Sequence, residues 1–221
     1  MPPQAPLDWH PVPAPARIPL AGRTVILEPL DAALHAASIF SAAQGHDNLW
    51  DYLGDGPYAQ LDVFTAALTR KQHGTDAVFF ALVPHATGQA AGYASLMRID
   101  APNGVVEVGN ILMTPAIQRT TAATEAMYLM ARHIFEDLGY RRYEWKCNAE
   151  NEPSRRAALR YGFQFEGLFR QHMVIKGRNR DTAWFSMLDS EWPARKRAFE
   201  AWLNPANFDA SGRQLQPLSA F

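Results

Sequence analysis

A single cysteine, Cys147, occurs in 221 residues, so no internal disulfide can staple the chain, and the composition suits a reducing compartment. Charge is sparse and balanced: 21 Lys and Arg against 22 Asp and Glu leave a formal net charge of −1. Such a chain has no global field to draw it onto nucleic acid or an anionic membrane. No apolar run approaches the roughly 20 residues of a membrane span, and the first residues show no signal-peptide pattern. The seven histidines lack ligand spacing, so no metal is expected. Internal repeats are missing too. These absences give the expectation of a cytoplasmic protein with one main domain and no nucleic-acid or membrane partner. Its 48% hydrophobic residues suffice to bury a full core.

Proline is concentrated at one end. Residues 1–22 form an arm with prolines at 2, 3, 11, 13 and 15, a density that blocks helix and sheet bonding. The arm is either disordered or wraps a surface, and Trp9 and Ile18 give it something to bury. A main domain over 23–192 and a C-terminal helix and tail over 193–221 follow. Within the domain, residues 24–30 read as a strand, and Asp31 caps a helix to about residue 44 with Leu34, Ala37, Ile39 and Phe40 near one face. An aromatic loop with Trp50, Asp51, Tyr52 and Tyr58 precedes a second helix over 61–73. Strands over 77–83, 92–99 and 105–113 make a meander. A helix over 122–138 stops at Gly139. Residues 142–147 alternate as a strand, Asn151 caps a helix through 161, and strands over 163–175 and 183–188 flank a loop at 177–181. A last helix is predicted over 193–203. The order implies an α/β (α+β) fold.

The stretch from Glu107 to Glu125 organises this pattern. An apolar strand passes through a turn of small residues directly into a long helix. Free backbone N–H groups and the helix dipole then present an anion site.

Three segments resemble the GNAT acetyltransferases, particularly the branch containing the ribosomal-protein N-acetyltransferases. Gln118-Arg-Thr-Thr-Ala-Ala123 is similar to the family's Gln/Arg-x-x-Gly-x-Gly/Ala acyl-CoA signature, with Thr121 in place of the first glycine. Glu107-Val-Gly109 lies on the preceding strand, where many relatives carry a functional glutamate. Residues 148–156, with Asn151 and Ser154, lead to Gly162-Phe163 as in that branch. The resemblance spans 24 to about 192. It implies a mixed central sheet of about six to seven strands, splayed at the family's strands 4 and 5 and flanked by helices.

What the resemblance implies for chemistry is specific. Acetyl-CoA would be the co-substrate, its pantetheine arm bonding Ile111 and Met113 with Leu112 between them. Its pyrophosphate would rest on Gln118, Arg119, Thr120, Thr121, Ala122, Ala123 and Thr124. A positive φ at Thr121 would be strained by about 1–3 kcal/mol, whereas a negative φ would free its hydroxyl for phosphate. Amine acetylation needs a base at neutral pH, since a lysine amine titrates near ~10.4 and an α-amine near ~8. Glu107, about 13 Å along the strand from the thioester contact, would act through water; alternatively it is a structural carboxylate. Ser154 would protonate the leaving thiolate, as Ala158 stands where many relatives have a tyrosine; alternatively it completes a helix cap. Asn151 would bond the pantetheine, cap the helix, or both. Trp50, Asp51 and Tyr52 would border the amine acceptor, or the two aromatics cap the core. His172 could also line the cleft, Tyr161 reads as packing, and Arg178, Arg180, Arg195, Lys196 and Arg197 read as solvated.

The expected activity is N-acetylation of a primary amine, on a protein N-terminus or a small molecule, by direct attack in a ternary complex. The alternative is a silent acyl-CoA-binding module. A third reading makes the arm and C-terminal helix elements of a homodimer.

Overall fold

The computed structural model describes residues 7–221. Among these, eight strands form one sheet in the order β1-β2-β3-β4-β5-β6-β8-β7. They are β1 Leu20–Ala21, β2 Val25–Pro29, β3 Ala77–Pro84, β4 Gly92–Asp100, β5 Val105–Met113, β6 Arg142–Asn148, β7 Gln164–Ile175 and β8 Arg178–Leu188. The helices are α1 Ala32–Ala43, α2 Leu61–His73, α3 Thr121–Arg132, α4 Glu152–Arg160 and α5 Trp192–Leu203.

Strand β3 shows how the layers are arranged. All eight of its residues are buried, because alternate side chains enter different cores. Val78, Phe80 and Leu82 join α3 and α5 in the larger core. Phe79, Ala81 and Val83 meet Ile39 of α1 and Phe64 and Leu68 of α2 on the other face. Every pairing is antiparallel except that of β5 with β6. That parallel pair is joined only from Val105↔Arg142 to Val108↔Trp145. Beyond it β5 runs on to Met113 and β6 to Asn148 with no ladder between them, so the sheet opens at its centre.

Several expectations change. The sheet has eight strands because Leu20 and Ala21, at the end of the expected arm, pair with Leu27 and Ile26. Pro2 and Pro3 lie outside the described residues. The later part of the arm wraps the domain: the Trp9 indole donates to the Pro102 carbonyl at 2.8 Å, and the Arg17 guanidinium reaches the carbonyls of Gln72 and Gly74. Leu34 is exposed rather than facing the core. The loop expected at 177–181 shrinks to Lys176 and Gly177, whose φ values of 50° and 74° suit a two-residue hairpin turn, so β8 begins at Arg178. Helix α3 ends at Arg132 and passes into a π-helical turn, His133–Asp137. In the C-terminal segment, Phe199, Trp202, Leu203 and Leu218 join the larger core.

Candidate active site

The opening between β5 and β6 leads into a cleft of about 1610 Å³. It runs from the first turn of α3, past the free edge of β5, to a mouth between the 47–58 loop and the β7–β8 hairpin. Ile111, Leu112, Met113, Gln118, Arg119, Thr120, Thr121, Ala123, Thr124, Asn151, Ser154 and Glu107 all line it. The Ala122 side chain is instead buried behind the turn in the larger core.

The turn before α3 is built by Thr120. Its hydroxyl accepts from the Ala123 N–H at 3.2 Å and donates to the Ile117 carbonyl at 2.7 Å. The N–H of Thr124 reaches back to the Thr120 carbonyl at 3.4 Å. Of the first-turn donors, Thr121 and Ala122 are therefore left without an acceptor inside the helix. The backbone strain falls two residues earlier than the signature suggests. Arg119 adopts a φ of 61°, whereas Thr121 is not among the positive-φ residues. Thr121 thus occupies helical backbone at no steric cost, and its hydroxyl is available at the mouth of the turn.

On β5, Asn110 has a φ of 49°, and the ladder with β4 slips between Ser95↔Gly109 and Tyr93↔Leu112. Bulges of this kind re-aim a strand. The β6-facing edge from Gly109 to Met113 has no strand partner, so its amides and carbonyls can bond an extended ligand.

Glu107 is buried. Its Oε2 accepts from Arg98 Nη1 at 2.6 Å and lies 3.0 Å from Lys146 Nζ. Lys146 also pairs with Glu144 at 2.6 Å and sits 3.8 Å above the Trp184 ring. One carboxylate oxygen is committed to two cations, leaving Oε1 for water or substrate.

Ser154 is held from two sides. Its N–H donates to Asn151 Oδ1 at 3.1 Å, the cap of α4, and its Oγ accepts from the Trp145 indole at 3.0 Å. A hydroxyl that already accepts a bond has its own proton free to donate. Burial raises the pKa of the neighbouring Cys147 thiol.

The expected acceptor residues divide. Trp50 is buried against Tyr58 and Phe64 and does not line the cleft, so its ring belongs to the core under the loop. Asp51 and Tyr52 do line it. The Tyr52 hydroxyl donates to the Glu150 carbonyl at 3.2 Å, and Lys176 Nζ donates to the Trp50 carbonyl at 2.8 Å. These two bonds draw the loop across the cleft toward α4 and the hairpin. His172 bonds Thr182 at 3.0 Å on the exposed surface of β7, outside the cleft. No three His, Cys, Asp or Glu side chains group to hold a metal among the described residues.

Comparison with known proteins shows the family. The Acetyltransferase (GNAT) domain model matches residues 24–164. The chain belongs to the GNAT acetyltransferase family. A GCN5-related N-acetyltransferase from Brucella melitensis is 51% identical with a TM-score of 0.94, over 96% of this chain and 97% of that one. A probable acetyltransferase of the GNAT family from Chromobacterium violaceum is 39% identical with a TM-score of 0.82, over 87% and 98%. The Bacillus licheniformis protein named uncharacterized N-acetyltransferase p20 is 32% identical over 51% of this chain. The chain spans 63% and 59% of the length of the two curated relatives it matches.

Several GNAT cleft residues escaped sequence reasoning. Arg160 bonds Thr124 Oγ1 at 3.1 Å and stacks over Trp202 at 5.0 Å, beside Arg213 of the C-terminal tail. Arg180, expected to be solvated, is half-buried on the cleft wall. Only alternation along β8 could have placed Arg180 on the face of Thr182 and Trp184, and the loop expected at 177–181 removed that signal.

Proposed function

We propose that this protein is an acetyl-CoA-dependent N-acetyltransferase that acts on a primary amine by direct attack within a ternary complex. The observation that carries the reading is the unpaired β5 edge leading straight to the open first turn of α3. The free amides of that edge suit a pantetheine chain, and the N–H groups of Thr121 and Ala122 with the Arg119 guanidinium suit a pyrophosphate. Acetyl-CoA supplies the activated acyl group. The amide near Ile111 polarises the thioester carbonyl. The amine nitrogen forms the new C–N bond as the C–S bond breaks. Glu107 Oε1 takes the amine proton through water, the Ser154 hydroxyl gives its proton to the departing thiolate, and the proton taken by Glu107 restores the serine hydroxyl through solvent.

The test follows thiol release from acetyl-CoA with a panel of primary amines, in wild type, Glu107→Gln and Ser154→Ala. Turnover by wild type with deep loss in both variants is the expected result. Tight CoA binding with no turnover on any amine would replace the enzyme by a silent acyl-CoA-binding module. Failure to bind CoA would overturn both. Thr121, which stands in place of the signature's first glycine, has no positive φ, which supports the enzymatic reading over the silent module.

A further inference from the structure

The wall of the cleft facing the acceptor mouth carries an imbalance of charge. Across one face of β4, β5, β6, β7 and β8 run the cations Arg98, Arg142, Lys146 and Arg180 and the carboxylates Glu107, Glu144 and Glu166, of which Arg98, Glu107, Lys146 and Arg180 line the cleft. Glu107 is held by Arg98 and Lys146, Glu144 by Lys146 and Arg142, and Glu166 by Arg142. The surplus positive charge therefore falls on Arg180. Its Nε donates to Thr182 Oγ1 at 3.2 Å, and among the described residues no carboxylate comes within ion-pair distance of it. Strand β8 pairs Thr182 with Asn148, and alternation puts Arg180 on the same face, two residues nearer the hairpin turn. Arg98, Asn148 and Met173 line the cleft with it.

A half-buried guanidinium without a counter-ion is uncommon, because desolvating a charge is unfavourable unless it is paired. Burial lowers the pKa of Arg180, and the proximity of Arg98 adds to that, while Cys147 and Glu107 oppose it. A planar fork with free N–H donors matches a carboxylate or a phosphate. The CoA phosphates have their own donors at the first turn of α3, across the cleft.

We propose that Arg180, supported by Arg98, binds an anionic group of the acceptor, so that the substrate is an amine carrying a carboxylate or phosphate. This rests on the acetyltransferase reading for the identity of the second ligand. It also reverses the charge that Asp51 alone suggests for the mouth, since Asp51 would meet the ammonium end and Arg180 the anionic end.

The experiment uses the full chain and amines matched in skeleton: an amino acid, its carboxamide, and the corresponding phosphate-bearing amine. Each is measured by turnover with acetyl-CoA and by calorimetric binding to the CoA-loaded protein, in wild type, Arg180→Gln and Arg180→Lys. Wild type should favour an anionic member over the neutral amide by about tenfold or more. Arg180→Gln should bring that ratio to near one, and Arg180→Lys should keep part of it. The stronger anionic member tells carboxylate from phosphate. Equal use of anionic and neutral amines, or a preference that survives in Arg180→Gln, would overturn the proposal. So would a rise in the KM for acetyl-CoA in place of a changed ratio, because Arg180 would then serve the cofactor. A binding preference that depends on Arg180 in the absence of any turnover would support the anion site while sinking the enzymatic reading.

Discussion

The indole N–H of Trp145 donates to Ser154 Oγ at 3.0 Å. Two elements that meet at the open end of the parallel pair, β6 and α4, are thereby locked together. Because the oxygen accepts there, the serine proton does not point at the indole and stays free to donate elsewhere.

Replacing Ser154 by alanine should lower kcat by about a hundredfold, the lower range for loss of a positioned acid. The cap of α4 uses the Ser154 backbone N–H and survives, but the buried Trp145 indole N–H loses its acceptor, so stability should also fall by about 1–3 kcal/mol. A thioester with a more acidic thiol should recover much of the rate, because its leaving group needs less help. Equal deficits with both thioesters would remove Ser154 from proton transfer. Trp145→Phe should give a smaller loss with the same dependence on leaving group.

Glu125 ties α3 to the start of β2. Its carboxylate accepts from the N–H groups of Arg23 at 2.8 Å and Thr24 at 2.6 Å, and from the Thr24 hydroxyl. It is buried, so removing it strands two backbone donors. Glu125→Ala should destabilise by about 3 kcal/mol, read as a lower urea midpoint at unchanged slope. A loss under about 0.5 kcal/mol would mean that water replaces the carboxylate without penalty.

Acid stability should report the Arg142–Glu166 pair. The Arg142 guanidinium, with the Ser186 hydroxyl, holds the Glu166 carboxyl at about 2, against partial burial acting upward. A carboxyl depressed in the folded state stabilises above its unfolded value, near ~4.3, and that contribution is lost as pH falls toward 2. Urea midpoints of Glu166→Gln should therefore fall less steeply than wild type between pH ~4.3 and 2. Parallel curves would remove the pair from the acid response. The side chain is 40% exposed, so the difference should shrink in high salt.

Much of this architecture was legible because local rules and tertiary demands coincide. The strand at 105–113 and the helix after it announce themselves as an apolar run, a turn of small residues and a periodic apolar face, although the helix expected to reach 138 turns π-helical after Arg132; α2 occupies Leu61–His73 as expected. The aromatic loop was harder, because Trp50 and Tyr52 differ by two positions in sequence and by a whole environment in space. One seals the core and the other reaches across the cleft. Charge was least legible of all. Lys146 drew no reading from the sequence and Glu107 drew one only through resemblance, yet both are buried as an ion pair beneath Arg98 and Trp184. Such networks depend on register between distant strands, which no local pattern encodes. The proline arm and C-terminal helix, weighed as dimer elements, pack on their own domain, a contact likewise set by distant residues such as Pro102 and Tyr128.

Arg119 gives a test in which stability and ligand binding should move in opposite directions. Its φ of 61° lies in the left-handed region, where a side chain is strained and glycine is not. Arg119→Gly should relieve strain of about 1–3 kcal/mol and lose about 0.5–1 kcal/mol to glycine's greater unfolded entropy. The free protein should then gain about 1 kcal/mol in chemical denaturation. The same change removes a guanidinium from the turn proposed to hold the pyrophosphate. Affinity for CoA should fall by about tenfold, the scale of one charge-assisted bond. Arg119→Lys keeps the charge and the backbone demand, so its stability should match wild type and its affinity should lie between the two. A glycine variant that loses stability would show that the arginine side chain's own contacts, and not the turn, hold the left-handed backbone. A variant that gains stability and binds CoA unchanged would confine the pyrophosphate to the backbone donors of Thr121 and Ala122.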